Sequence, residues 1–187
     1  MAIPTAISQS NQQFKYAGVA VFACAIFTSA FLLFQVQPLI GKFILPWFGG
    51  TPAVWTTCML VFQVLLFAGY AYAHFTSQYL SNRSQAILHL ALLAGAMCIL
   101  PITPDASWKP APADSPAWRI ILLTICTVGL PYFLLSSTGP LLQRWFSCTH
   151  ADISPYRLYA LSNVGSLLAL LSYPVFFETN FTTSTQA

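Results

Sequence analysis

Three histidines, His74, His89 and His150, are the residues of this sequence best suited to ligate a metal ion or a haem. His74 and His89 lie at the facing ends of two predicted helices, so a paired site is one interpretation. No C-x-x-C-H or H-x-x-x-H motif surrounds them, and no carboxylate lies nearby in sequence. We therefore expect interfacial histidines that bond to water or to carbonyl groups, and we predict no metal and no cofactor.

Carboxylates are the next candidates, because they act as general acids and bases and, inside membranes, mark proton and cation pathways. The sequence has no G-x-S-x-G motif and no glycine-rich phosphate loop. We therefore predict no catalytic residue, and the absence of carboxylates from the apolar stretches argues against a pump or a cation transporter. The acidic residues, all in predicted loops or at helix ends, are Asp105, Asp114, Asp152 and Glu178.

Cysteines offer thiolate chemistry, disulfides or metal ligation, but none of the five here belongs to a C-x-x-C pair. Four of them fall inside predicted helices. We interpret them as small apolar residues that fill space between helices. They are Cys24, Cys58, Cys98, Cys126 and Cys148.

The composition explains why so little of this chemistry is present. Charged residues make up 6% of the 187 residues and hydrophobic residues 57%, whereas an ordinary soluble domain has about 25% charged residues. These values exclude a soluble globular domain, a disordered tail and a nucleic-acid-binding protein. The net charge of +3 comes from basic residues scattered singly along the chain, so no basic patch is predicted.

Five uncharged stretches of at least 20 residues divide the chain. About 20 apolar residues in a helix cross the roughly 30 Å hydrocarbon core of a membrane. The tryptophans fall at or just outside the ends of these stretches, as in interfacial aromatic belts. We predict an all-α integral membrane bundle, residues 16–178, between polar tails at 1–15 and 179–187. Its five transmembrane helices lie near 17–37, 53–74, 86–102, 119–138 and 157–177.

Prolines and glycines predict where these helices end. After the first helix they predict a short interfacial segment around 39–48, followed by a tight turn. Thr51 is placed to cap the second helix, with Pro52 at its first position. Pro131 predicts a kink in the fourth helix, and Pro140 with the preceding glycine predicts its end.

An odd number of spans puts the two termini on opposite sides of the membrane. With the N-terminus inside, the inner segments carry four basic residues and the outer segments three, which favours a cytoplasmic N-terminus. The inner residues are Lys15, Arg83, Arg144 and Arg157, and the outer residues are Lys42, Lys109 and Arg119.

Polar and small residues within the spans are the remaining candidates for function. Arg144 and Arg157 flank one loop and are candidates for binding a lipid headgroup or for anchoring at the interface. The small residues of the fifth helix recur at three- and four-residue spacing, which favours close helix packing. This candidate packing face is Ser162, Gly165, Ser166 and Ala169. The candidate polar cleft is Gln35, Gln37, Gln63 and Asn163, whose alternative role is hydrogen bonding between helices.

Two stretches resemble a known family. They are FLLFQVQPLIGKFILPWFGGTPAVWTTCMLVFQVLLFAGYAYAH, residues 31–74, and STGPLLQRWFS with PYRLYALSNVGSLLALLSYPVFFE, within 137–178. They are similar to the N-terminal membrane region of bacterial membrane-bound spermidine-synthase-like proteins, also described as fused major-facilitator/spermidine-synthase proteins. The resemblance implies a multi-pass protein of the bacterial inner membrane. The soluble aminopropyltransferase-like domain of that family has no counterpart in this sequence, so no catalytic residue carries over.

Three functions are consistent with these observations. The first is a non-enzymatic membrane subunit that packs against other membrane-protein subunits in a larger inner-membrane complex, with the lipid bilayer as its other partner. The second is binding or transport of a small solute, a lipid or a quinone through the polar cleft. The third is a membrane anchor for a spermidine-synthase-like enzyme whose catalytic domain lies outside this chain.

Overall fold

A computed structural model of the chain describes residues 6–110, 115–150 and 152–186, with side chains from residue 16 onward. Within these residues the protein is helical, without a strand. The longer helices are α1 (Ala6–Phe48), α2 (Pro52–Tyr79), α3 (Asn82–Met97), α4 (Pro116–Thr149) and α5 (Tyr156–Ser172). Shorter elements are a 3₁₀ turn (Ala106–Trp108), a π-helical turn (Tyr173–Phe177), α6 (Glu178–Asn180) and α7 (Thr183–Gln186).

The predicted all-α class is confirmed over the described residues, and four helical stretches have the length and apolar composition to cross a membrane. They are Tyr16–Phe48, Pro52–Tyr79, Pro116–Thr149 and Tyr156–Asn180. The predicted count of five is not confirmed. The third helix, α3, has 16 residues and therefore rises about 24 Å at about 1.5 Å per residue, less than the hydrocarbon core.

The path of the chain shows what α3 does instead. Helices α2 and α4 run parallel, because Val54 and Ile120 line one cavity near their starts, while Gln78 and Arg144 line another near their ends. The chain must therefore return between them. The return consists of α3, antiparallel to α4, and the following segment, in which Ile102 packs into the main core.

Helix α1 passes through the position of the predicted break. Pro38 and Pro46 both lie inside it, and it ends at Phe48, where Gly49 adopts a left-handed φ of 86°. The separate interfacial segment at 39–48 is therefore not confirmed. Proline removes a backbone hydrogen bond, but burial of the neighbouring Ile40 and Ile44 in the core holds the helix together.

Of the other predicted helix boundaries, one is confirmed and one is wrong. Thr51 caps α2 as predicted: its Oγ1 accepts a hydrogen bond from the backbone N–H of Val54 at 3.5 Å, and Pro52 is the first helical residue. The end predicted at Pro140 is wrong, because α4 includes this proline and continues to Thr149. The predicted N-terminal tail is helical from Ala6. Residues 1–5 and Ala187 of the predicted tails lie outside the described part.

The bundle has two ends, named here after a residue at each. At the His150 end, the His150 imidazole lies beside Gly18, near the start of the first span. At the Glu178 end, a carboxylate oxygen of Glu178 lies 3.4 Å from Lys42 Nζ and joins α6 to α1. Gly18 and Glu178 therefore lie at opposite ends of the bundle.

Helix α1 packs along both α4 and α5, and α4 packs along α2. The main core lies between α1, α2 and α4, with buried Ile40, Phe62 and Tyr132 at its centre. Glycine allows the closest approach on α2: a Cβ at Gly69 would overlap Ser136 Oγ and lie 2.9 Å from the carbonyl oxygen of Phe133. The backbone of α2 at Gly69 therefore lies in direct contact with the Ser136 side chain of α4.

Gly69→Ala is expected to destabilise the protein by about 1–3 kcal/mol, the usual cost of overpacking a core. The matched control is Gly95→Ala in α3, where a Cβ would meet nothing within 4 Å. There alanine should be neutral or stabilising by up to about 1 kcal/mol, because it is the better helix former. Thermal unfolding of both variants in one detergent checks this. Equal melting temperatures for the two variants would contradict the close packing at Gly69.

Candidate functional site

A groove lies between α4 and α5, because both helices pack on α1 and make few contacts with each other. Its volume is about 360 Å³, and residues of α2 close its far side. We call this cavity the groove. Its polar lining residues are Ser29, Tyr70, Ser136, Gln143, Tyr159, Ser162, Asn163 and Ser166.

The lining residues differ in whether their hydrogen bonds are made. The hydroxyls of Ser29, Ser136 and Ser166 donate to carbonyl oxygens of their own helices at 3.0, 2.7 and 3.0 Å. Within the described part of the chain, the side-chain amides of Gln143 and Asn163 have no such partner. Amides without partners are costly in hydrocarbon. These two groups are therefore available to a molecule that enters the groove.

A second cavity of about 380 Å³ continues the groove toward the His150 end, and we call it the mouth. Tyr70 and Pro140 line both cavities. The remaining residues that line the mouth are Ala73, His74, Ser77, Gln78 and Arg144. In the mouth, His74 Nε2 lies 3.0 Å from Gln78 Nε2.

The residues of the predicted polar cleft do not lie together. Gln35 Nε2 donates to the carbonyl oxygen of Ala169 at 3.2 Å and joins α1 to α5. Gln37 Nε2 lies 2.8 Å from Tyr132 Oη and joins α1 to α4. Gln63 is exposed on α2. Of the four candidates, only Asn163 lines the groove.

The small-residue face of α5 is divided between two roles. Gly165 and Ala169 are buried against α1, and a Cβ at Gly165 would lie 2.9 Å from the carbonyl oxygen of Phe27. Ser162 and Ser166 line the groove. The face is therefore used inside this chain.

The two candidate headgroup arginines are also separated. Arg144 lines the mouth, whereas Arg157, exposed in the first turn of α5, lines neither the mouth nor the groove. Of these two arginines, Arg144 therefore adds a guanidinium to the cavity that adjoins the groove.

The histidines lie apart as well. His74 lines the mouth, whereas His89 is buried, with Nε2 3.0 Å from Thr138 Oγ1 on α4. The His89 ring lies 6.1 Å from that of Tyr72. Among the residues that the structure describes, neither His89 Nδ1 nor the buried Tyr72 hydroxyl has a hydrogen-bond partner. Over the described residues, no group of three or more His, Cys, Asp or Glu side chains could hold a metal ion.

Sequence reasoning named Asn163, Ser162 and Ser166 but missed Gln143, Tyr70 and Tyr159. Gln143 lies next to Arg144 in a stretch predicted to leave the membrane, and α4 instead continues through it. The one indication in the sequence that Gln143 lines a site is that it is a polar residue close to an apolar stretch. Which face of α4 meets α5 depends on how both pack on α1.

Comparisons with known proteins add no family. No protein-family model, no curated protein and no solved structure matches the chain. Membership of the membrane-bound spermidine-synthase-like family therefore stays a prediction from the two resembling stretches.

Two tyrosine variants test how the helices are joined. Tyr132→Phe removes the partner of Gln37 and should destabilise the protein by about 0.6–2 kcal/mol. Tyr72→Phe removes a buried hydroxyl that bonds to none of the described residues and should be neutral or stabilising. Thermal unfolding of the two variants measures the difference. A larger loss for Tyr72→Phe than for Tyr132→Phe would contradict this assignment of hydrogen bonds.

Proposed function

We propose that this chain is a non-enzymatic integral membrane protein that binds one small amphipathic molecule in the groove. The observation that supports the proposal most is the pair of amides, Gln143 and Asn163, which line an open cavity without partners among the described residues. A bound molecule with hydrogen-bonding groups would satisfy both amides. The groove's volume of about 360 Å³ lies within the usual range for small-molecule sites, about 300–1,000 Å³.

The lining of the groove suits an amphipathic molecule better than a sugar or an ion. Leu33, Leu66 and Leu135 contribute apolar surface beside the polar groups. A polar solute would leave the part of these side chains that faces the groove without apolar contacts, and a pure hydrocarbon would leave the amides unpaired. A lipid or a quinone satisfies both kinds of surface.

The accessory-subunit function is a second candidate, favoured by the exposure of α3. This helix is shorter than a membrane span, yet Ile87, Leu90 and Met97 are 70%, 64% and 71% exposed. A partner helix beside α3 would cover them. The buried part of the small-residue face, Gly165 and Ala169, would play no part in such a contact, because it packs against α1.

Location and orientation are part of the proposal. The His150 end has four basic residues, Lys15, Arg83, Arg144 and Arg157, against Lys42, Lys109 and Arg119 at the other end. The positive-inside rule would therefore place the His150 end in the cytoplasm. The N-terminus would then be cytoplasmic, in the inner membrane of a bacterium, as the family resemblance implies.

Filling the groove tests the proposed function. Gly139 lines the groove, and a Cβ there would meet nothing within 4 Å. Gly139→Phe should therefore place a ring in the cavity with little disturbance of the fold. The matched control is Gly95→Phe, at a glycine of α3 with equally open surroundings.

The probe is an equimolar mixture of phosphatidylglycerol, phosphatidylethanolamine and phosphatidylcholine, offered to the purified full chain and followed by native mass spectrometry. The wild type and Gly95→Phe should retain one lipid per chain, and Gly139→Phe should lose about 90% of this complex. Equal retention of every lipid by the two phenylalanine variants would reject the groove as a binding site. Masses of co-purified proteins would instead favour the subunit function.

A further inference from the structure

The mouth provides hydrogen-bond donors and a positive charge at one end of the groove. Arg144 contributes a guanidinium, and Ser77, Gln78 and His74 contribute groups that donate hydrogen bonds. None of the described residues that line the groove or the mouth is acidic. Within the described part of the chain, Arg144 makes no ion pair.

The acidic residues in the described part of the chain do not compensate this charge. Asp105 and Glu178 belong to the opposite end, and Glu178 is already paired with Lys42 at 3.4 Å. Asp152 follows α4 at the His150 end but lines neither cavity. The charge of Arg144 is therefore open to an anion that reaches the mouth.

The groove and the mouth form one path of graded polarity. On α4 the path runs from Leu135 through Gly139 and Pro140 to Arg144. From Leu135 to Arg144 the helix rises about 13.5 Å, at about 1.5 Å for each of nine steps. The lining near Leu135 and Leu33 is mostly apolar. The amides of Gln143 and Asn163 line the groove, and Gln143 directly precedes Arg144, whose guanidinium lines the mouth.

We propose that the groove and the mouth together bind a single anionic amphiphile, with its phosphate or carboxylate headgroup at Arg144 and its apolar chain beside Leu33 and Leu135. The amides of Gln143 and Asn163 bond to the ester or hydroxyl groups between the two. This inference rests on the proposed function and names the class of ligand. Guanidinium groups bind phosphate and carboxylate in two parallel hydrogen bonds, which suits such a headgroup.

The test compares two lipids with identical acyl chains, anionic phosphatidylglycerol and zwitterionic phosphatidylcholine, in competition for the full chain. One arginine near a membrane surface contributes about 1 kcal/mol toward an anionic headgroup, so the wild type should prefer phosphatidylglycerol about fivefold. Arg144→Gln should abolish the preference, because it should weaken binding of phosphatidylglycerol about fivefold more than binding of phosphatidylcholine. Arg144→Lys should restore part of it.

The matched control is Arg157→Gln, which removes an equal charge outside the two cavities and should retain the fivefold preference. Equal binding of the two lipids by the wild type, with Gly139→Phe still blocking both, would overturn this inference alone. Equal losses in Arg144→Gln and Arg157→Gln would also overturn it, because they would indicate general surface attraction. Failure of Gly139→Phe to change any lipid's binding would instead reject the proposed function.

A third arm separates a lipid headgroup from a free anion. Inorganic phosphate at millimolar concentration should not displace phosphatidylglycerol from the wild type. It should not raise the melting temperature of Gly139→Phe either. Displacement together with stabilisation of this variant would mean that the mouth binds phosphate without an apolar chain, which would overturn the proposal.

Discussion

Polar side chains inside a membrane must find partners, because hydrocarbon supplies none, and this constraint organises the bundle. Gln35 and Gln37 both satisfy it by bonding across helices, the first to Ala169 on α5 and the second to Tyr132 on α4. They lie two residues apart on α1, about 200° around the helix axis at about 100° per residue. A single turn of α1 therefore fixes two neighbours on different sides.

This arrangement explains why a groove exists at all. Helices α4 and α5 are each held by α1, and close contacts at Gly165 bring α5 onto α1 rather than onto α4. The continuity of α1 through Pro38 is required, because a break there would uncouple the turn that carries both glutamines from the buried Ile40 and Ile44. The space left between α4 and α5 is lined by amides that no described residue satisfies. These unsatisfied amides are the basis of the proposed function.

Much of the fold follows from the sequence, because hydropathy and length report directly on membrane spans. The cap at Thr51 follows from local chemistry alone. The helix break predicted near Pro38 and the helix end predicted at Pro140 differ from the structure for one reason. At both positions the local cost of a proline is outweighed by packing between helices, which the sequence does not show. The third predicted span is not confirmed for another reason. This apolar stretch is long enough to cross a membrane, but it forms a helix only as far as Met97, and the non-helical segment that follows carries Ile102 into the core.

The site was less accessible to sequence reasoning than the fold. The polar residues within the spans could be listed, but whether each one joins helices or faces a cavity depends on the rotation of each helix. Gln35 and Asn163 are equally polar and equally placed in apolar stretches, yet one bonds to Ala169 and the other lines the groove. The small residues of α5 mark a packing face correctly, but spacing alone does not identify the helix that meets it.

The most direct test of the central claim is an experimental structure of the protein extracted with its native lipids into nanodiscs. The account predicts separated α4 and α5, with elongated density between them that contacts the amides of Gln143 and Asn163 and reaches Arg144. Direct contact between α4 and α5, with the two amides bonded to each other or to neighbouring side chains, would contradict it.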